Sequence, residues 1–218
     1  MTAPEARILP LGEEAWILTL GDRIDAALHE RVVSVAALIT RAALPGVREI
    51  IPGYTTVTVS FDSARADASE LRVGLERLLA DTPAGLPAPP SRTLEIPVQY
   101  DGPDFEEVAE RTGLSRTQII ERHSGRVYRV YLLGFAPGFA YLGELDPSLE
   151  LPRRDSPRTR VPPGSVAIAG LQTAVYPLAT PGGWHLIGTT SLRLFAPAAD
   201  PPALLRVGDQ VRFVPAGL

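Results

Sequence analysis

Cysteine and lysine are both absent from this 218-residue chain, in which every one of the 21 basic residues is arginine. Without cysteine there is no disulfide, thiolate zinc site, iron–sulfur cluster or cysteine nucleophile. Without lysine there is no Schiff base to pyridoxal phosphate, no Walker-type phosphate lysine and no biotin-carrying lysine, so any such cofactor belongs to another polypeptide. Histidine is scarce: His29, His123 and His185 lie far apart, none in an H-x-x-x-H pair, and no metal site is assigned, although carboxylate ligation stays open. A formal net charge of -4 gives no overall attraction to nucleic acid or anionic lipid. Met1 to Leu11 lack the basic start and apolar core of a signal peptide, and no apolar run approaches the roughly 20 residues that span a bilayer. A cytoplasmic protein with neither a nucleic-acid nor a membrane partner is expected.

What is present is ordinary globular composition with many turns, since glycine and proline number 19 and 22. Arg7 to Leu20 reads as a hairpin about Gly12. A helix follows, with Asp22 as its expected N-cap, Ile24, Leu28, Val32, Val35, Leu38 and Ile39 at helical spacing, and Pro45-Gly46 as its stop. His29, beside Glu30, is expected on the solvated face. Thr56 to Phe61 alternates polar and apolar residues with a period of two, which marks a half-buried strand. Asp67 or Ser69 then caps a second helix carrying Leu71, Leu75, Leu78 and Leu79. Residues 1–81 are thus expected to form a small α/β domain.

Residues 82–91 hold four prolines and no charge, and read as an interdomain linker. Over 92–218 the pattern predicts a strand at Thr93–Gln99, helices at Asp104–Arg111 and Thr117–His123, and a strand at Val127–Leu133. Short Val-, Ile- and Ala-rich runs punctuated by Pro-Gly follow, which suggests a small closed β-barrel or sandwich, so the chain as a whole is α+β. The two helices superficially match a helix-turn-helix, but Asp104, Glu106, Glu107 and Glu110 would oppose a phosphate backbone.

Four strings could carry chemistry. Gly134-Phe135-Ala136-Pro137-Gly138-Phe139-Ala140-Tyr141-Leu142-Gly143 is either a turn pinned by core aromatics or a loop that offers Phe139 and Tyr141 to a ligand as a flat wall. Pro152 to Arg160 sets four guanidinium groups in nine residues, suited to carboxylate or phosphate oxygens and equally readable as a solvated basic loop. In Pro162 to Pro177, small residues suggest a strand pressed against another backbone, while Gln172 and Thr173 offer the neutral hydrogen-bonding groups that an amide or lactam needs, unless they only finish a sheet edge. Pro181-Gly182-Gly183-Trp184-His185 is either oxyanion-hole material or a Gly-Gly hairpin. His123, at a predicted helix C-terminus, is placed for capping or for general acid–base work.

His123-Ser124-Gly125, Tyr128, the GFAPGFAYLG loop, the Pro-Arg…Val-Pro-Pro-Gly-Ser-Val-Ala-Ile-Ala-Gly run, Gln172-Thr173, Tyr176-Pro177 and Pro181-Gly182-Gly183-Trp184 occur together in this order. In them the chain resembles the family that contains the B subunit of bacterial 5-oxoprolinase, the KipI sporulation-kinase inhibitor and the first subunit of allophanate hydrolase. The resemblance implies a cyclophilin-like β-barrel after the N-terminal domain. It also implies a homologous second subunit (the C subunit of 5-oxoprolinase, or a KipA-like chain) and, for 5-oxoprolinase, a third lactam-utilisation protein that completes an ATP-driven opening of 5-oxoproline to glutamate. ATP would then be used by the complex and not be bound by this chain alone. His123, Phe139, Tyr141, Arg158, Gln172, Thr173 and Trp184 would line the cleft, His123 as the catalytic candidate and Arg158 as the carboxylate clamp. The chain departs from the family pattern at Thr189 and Ser191, where Gly-Arg-Thr-Pro is usual, and at His185, where Gln is common. One anion contact is thereby lost or supplied elsewhere.

The leading expectation is therefore a subunit of an ATP-dependent amide (lactam) hydrolase of the 5-oxoprolinase type. The alternatives are a KipI-like inhibitor of histidine-kinase autophosphorylation and a carboxyltransferase subunit of the allophanate hydrolase or urea carboxylase type. Prolyl isomerisation would rest on analogy with the barrel alone.

Overall fold

The structure, a computed structural model, describes residues 6–80 and 89–217. The chain divides into two units, Met1–Ser91 and Arg92–Leu218. Most of the proline-rich segment expected to link them lies outside the described residues.

In the first unit the expected hairpin is formed by β1 (Arg7–Pro10) and β2 (Ala15–Thr19). Helix α1 (Ala26–Ala42) begins later than expected, because Asp25 and not Asp22 caps it, its side chain accepting the Leu28 amide at 2.8 Å. Ala43 ends the helix in the left-handed conformation. The buried face of α1 carries Val32, Val35, Ala36 and Ile39, and His29 lies on it, fully buried. The expected solvated position is thus corrected: Val32 and Ala36, three and seven residues on, share the side of the helix that His29 occupies. Strand β3 (Val47–Pro52) has no sequence signature, because Arg48 and Glu49 are exposed and break any apolar alternation. Strand β4 (Thr56–Phe61) does alternate, with Val57, Val59 and Phe61 buried. The four strands pair antiparallel in the order β1-β2-β4-β3. Helix α2 (Ala68–Ala80) is capped by Asp67, whose Oδ1 accepts the Ser69 and Glu70 amides, and it adds Leu71 and Leu75 to a core shared with α1 and the sheet. Each such aliphatic side chain contributes roughly 1.5–3 kcal/mol on full burial.

The second unit opens with β5 (Thr93–Val98), followed by helices α3 (Phe105–Thr112) and α4 (Arg116–Ser124). Gly113 closes α3, and a capping box of Ser115 and Gln118 starts α4. Phe105, Val108, Ile119 and Ile120 of this pair turn inward to the core. Next come β6 (Val127–Leu133), β7 (Ala140–Gly143), β8 (Arg158–Val161), β9 (Ser165–Ala169), β10 (Gln172–Val175), β11 (Thr180–Gly182), β12 (His185–Thr189) and β13 (Gln210–Pro215).

Seven of these strands form one sheet in the order β12-β9-β10-β7-β6-β13-β5. Its ends meet just beyond β5, where Gln99 and Thr189 exchange backbone hydrogen bonds of 2.9 and 2.7 Å, so the sheet closes into a barrel. Strand alternation gives the wall two apolar faces. Val166, Ile168, Val175, Leu142 and Ile187 fill the interior. Ala167, Ala169, Ala174 and Leu186 point outward into a second cluster with Phe139, Val161, Tyr176 and Trp184. The ribbon of β8 and β11 contributes Val161 to this outer layer. The short alanine side chains of β9 and β10 let that layer approach the wall; they meet the side chains of Phe139, Tyr176 and Trp184 where the sequence suggested another backbone.

Candidate functional site

The arginine-rich segment is organised by one buried carboxylate. Gly102 lies so close to β12 that a Cβ there would come within 2.2 Å of the Leu186 carbonyl oxygen, and this close approach brings Asp104 against the strand. The Asp104 carboxylate accepts the Leu186 amide at 2.7 Å and a two-pronged fork from Arg158 at 2.8 and 2.6 Å. Arg154 donates to it at 2.8 Å and also reaches Glu107. Burial pushes the Asp104 pKa up, but the Arg158 hydrogen bonds, the Leu186 amide and the two guanidinium charges outweigh it and hold the carboxyl below its usual range. Behind this knot His185 is fully buried, its Nε2–H donating to the Pro152 carbonyl at 2.9 Å and its Nδ1 lying 3.8 Å from Glu107.

A second polar system crosses the barrel interior. His123 has no exposed surface and stacks on Phe213 with ring centroids 4.5 Å apart. Its Nδ1 meets the Tyr100 hydroxyl at 2.8 Å and its Nε2 meets Thr173 Oγ1 at 2.9 Å. The Thr173 hydroxyl donates to the Ala167 carbonyl at 3.0 Å, so the proton on His123 sits on Nε2 and Nδ1 accepts from Tyr100. Burial lowers the His123 pKa to about 3, which keeps the ring neutral at physiological pH. His123 does lie in the last turn of α4, as expected, but both ring nitrogens go to Tyr100 and Thr173, so it does not cap the terminal carbonyls.

The third system is aromatic and lies on the outer face of the wall. Phe139 packs edge-on against Phe135, Tyr141, Tyr176 and Trp184, with centroid separations of 5.0–5.9 Å. Tyr141 also meets Trp184 at 5.9 Å. At the tip of the GFAPGF loop, Phe135 is 62% exposed and has a positive φ of 72°, an uncommon conformation for an aromatic residue. Tyr176 lies beneath the glycine pair: a Cβ on Gly182 would sit 2.3 Å from its hydroxyl, so only glycine fits there. The Gly-Gly letters do not make a hairpin within the barrel. The chain passes there from the β8–β11 ribbon into β12.

Phe139, Tyr141 and Trp184 are therefore brought together. Gln172 shares their face, because it alternates with Thr173, whose side chain points inward, and precedes the outward Ala174. Arg158 borders this flank but its fork is filled by Asp104, while His123 and Thr173 lie on the inner side of the same wall. Sequence reasoning missed Asp104 and Tyr176 as organising residues. Their only traces were an acid before a helix and a Tyr-Pro string.

A seven-stranded barrel with an aromatic outer flank, together with a four-stranded α/β unit, makes this a mixed α+β protein. The family described as "Carboxyltransferase domain, subdomain C and D" matches residues 6–205, and the chain belongs to it. It is 47% identical to the B subunit of 5-oxoprolinase from Escherichia coli O157:H7, over 96% of both chains. It is 42% identical to the protein of the same name from Bacillus subtilis strain 168, over 95% of this chain and 92% of that one. Among solved structures, TTHA0988 is 41% identical with a TM-score of 0.83; the match covers 93% of this chain but only 40% of that longer one.

Proposed function

We propose that this chain is the B-type subunit of an ATP-dependent 5-oxoprolinase, which adds water across the lactam of 5-oxoproline to release glutamate. The observation that carries the reading is the end-to-end similarity to two chains that are named as the B subunit of 5-oxoprolinase. In the reaction the water oxygen bonds to the lactam carbonyl carbon, the carbon–nitrogen bond breaks and the nitrogen takes a proton. On the aromatic flank the half-buried Tyr141 and Gln172 would meet a small planar amide ring, with Trp184 and Phe139 buried behind Tyr141 as its support. His123 and Thr173 brace that wall from inside, and Arg158 fixes the basic segment through Asp104; all three act as positioning residues.

The residues present do not fit a nucleotide. The GFAPGF loop spends the Gly134 and Phe139 amides on the Phe139 and Ala136 carbonyls, and Arg154 and Arg158 are committed to Asp104. ATP is accordingly assigned to another polypeptide of the complex, and so are the groups that move protons. The region matched in TTHA0988 is continuous with further polypeptide, which agrees with a site shared between subunits. We assign the second subunit to a homologous partner and the third to a lactam-utilisation protein.

The test is reconstitution. Co-purified with its partner subunits, the chain should support glutamate release from 5-oxoproline that requires ATP. A correctly assembled complex that releases no glutamate would overturn the reading.

A further inference from the structure

Fourteen consecutive residues of the second unit, Val130 to Gly143, carry no charge, and the GFAPGF loop is their most exposed part. At its tip Phe135, 62% exposed, is the one exposed aromatic residue among the described residues. Its backbone stands in the left-handed region at φ 72°, where Cβ crowds the following carbonyl and a large side chain is disfavoured. The surroundings hold it there. The Gly134 amide donates to the Phe139 carbonyl at 3.1 Å and the Phe139 amide to the Ala136 carbonyl at 3.0 Å. Gly138 is pressed so close to the chain opposite that a Cβ would come within 2.8 Å of Phe195 Cβ. Beneath the tip, the buried Phe139 meets the Phe135 ring edge-on at 5.3 Å. A pinned loop therefore holds a large apolar ring out in water, in an unfavourable backbone conformation, above an aromatic base.

A side chain exposed over most of its surface at a loop tip is convex, whereas small ligands are held in concave sites, so the counterpart of Phe135 is a macromolecule with a socket. A tract without charge offers nothing to phosphates, and the matching socket is apolar. Two relatives that match end to end are named as subunits, and in TTHA0988 the matched region is only 40% of a longer chain, so further polypeptide accompanies this region in both settings. We propose that Phe135 is the anchor by which this chain docks on its partner subunit, the ring filling an apolar, uncharged socket there. This rests on the 5-oxoprolinase reading and adds to it the place where the second polypeptide attaches. Phe139 meets both Phe135 and Tyr141, at 5.3 and 5.0 Å, so a subunit seated on Phe135 stands one ring away from Tyr141 and closes over the flank. Because the loop is fixed before docking, little conformational freedom is lost when the socket closes on it.

The experiment measures Kd between the full chain and the partner subunit with which it co-purifies, and Tm of the chain alone. Phe135→Ala should weaken binding at least about 30-fold, the effect of removing a central aromatic anchor, whereas Phe135→Leu should lose less than about tenfold. Phe135→Gly should bind as weakly as Phe135→Ala and yet melt about 2–6 °C above it, since glycine alone is unstrained at this φ. Val127→Ala, at an exposed apolar residue outside the loop, should bind as the parent. With partner far above the weakened Kd, the Phe135→Ala complex should release glutamate at the parent rate. If the parent complex is active while Phe135→Ala binds within about threefold of it, or stays slow at saturating partner, the docking assignment is wrong and the enzyme reading stands. Equal melting of the glycine and alanine variants would overturn the pinned anchor. If the parent complex assembles through Phe135 but has no turnover, the enzyme reading fails and the docking assignment stands; if the parent binds no partner subunit, both fail.

Discussion

Replacing Asp104 by Asn removes the charge on which the basic segment is assembled and leaves the size of the side chain unchanged. In the parent the carboxylate accepts three guanidinium hydrogen bonds and one backbone amide, and is itself buried. Removing one partner of a buried ionic group costs about 3–5 kcal/mol, because the remaining charge is left without compensation. Here the arginine side chains are 25% and 27% exposed, so water takes up part of the deficit and about 2–4 kcal/mol is the working figure. For a unit of this size roughly 4 °C of Tm accompanies each kcal/mol, which gives a fall of about 8–16 °C. Urea titration followed by Trp184 fluorescence, in a Trp16→Phe background, isolates the unit concerned. The pH dependence supplies a second reading. A carboxyl with a folded pKa below its unfolded value of about 3.9 contributes its full stabilisation above that pH and loses it as pH falls through the folded value. The gap between parent and variant should hold steady from about pH 5 to 7 and narrow below about pH 4. A variant within about 0.5 kcal/mol of the parent at pH 7 would refute the account of Asp104 as the organising group.

Two further substitutions test the other systems. Thr173→Val strips the acceptor from His123 Nε2–H and should cost about 1–3 kcal/mol in urea titration, whereas Thr173→Ser should cost about 1 kcal/mol or less; equal effects would count against the hydrogen-bonded chain through the barrel. Gly182→Ala would drive a methyl into the buried Tyr176 hydroxyl and should destabilise by about 1–3 kcal/mol with a shift in Trp184 emission; an unchanged spectrum and melting point would show that the flank is looser than described.

Local pattern makes much of the fold readable. The alternation of Val57, Val59 and Phe61 marks β4, and the Ser115 cap and Gly113 stop bracket the helices over the barrel. Two of the failures come from partners remote in sequence. Asp104 and Arg158 are 54 residues apart, so nothing in the basic string shows that its best fork is occupied. Likewise the sequence leaves His123, at the end of α4, between capping and acid–base work, because Tyr100 and Thr173, which hold its ring inside the barrel, belong to other elements. His29 is misplaced by sequence because a polar residue beside a glutamate suggests solvent, while its three- and seven-residue neighbours set its side of the helix. The aromatic flank is legible as a set of residues, and its position outside the wall is not, since inward and outward faces of β9 are both buried and leave no polar alternation.

The last strand of the barrel is inserted between two earlier ones, antiparallel to β6 and parallel to β5. Strand β5 has no other ladder partner among the described strands, only the Gln99–Thr189 bridge just beyond it. A nascent chain leaving the ribosome therefore carries β5 unpaired through more than a hundred residues of synthesis, until residues 210–215 emerge. Ring closure is consequently a late, non-local event. Until then two raw strand edges stay open to helper proteins, or to aggregation.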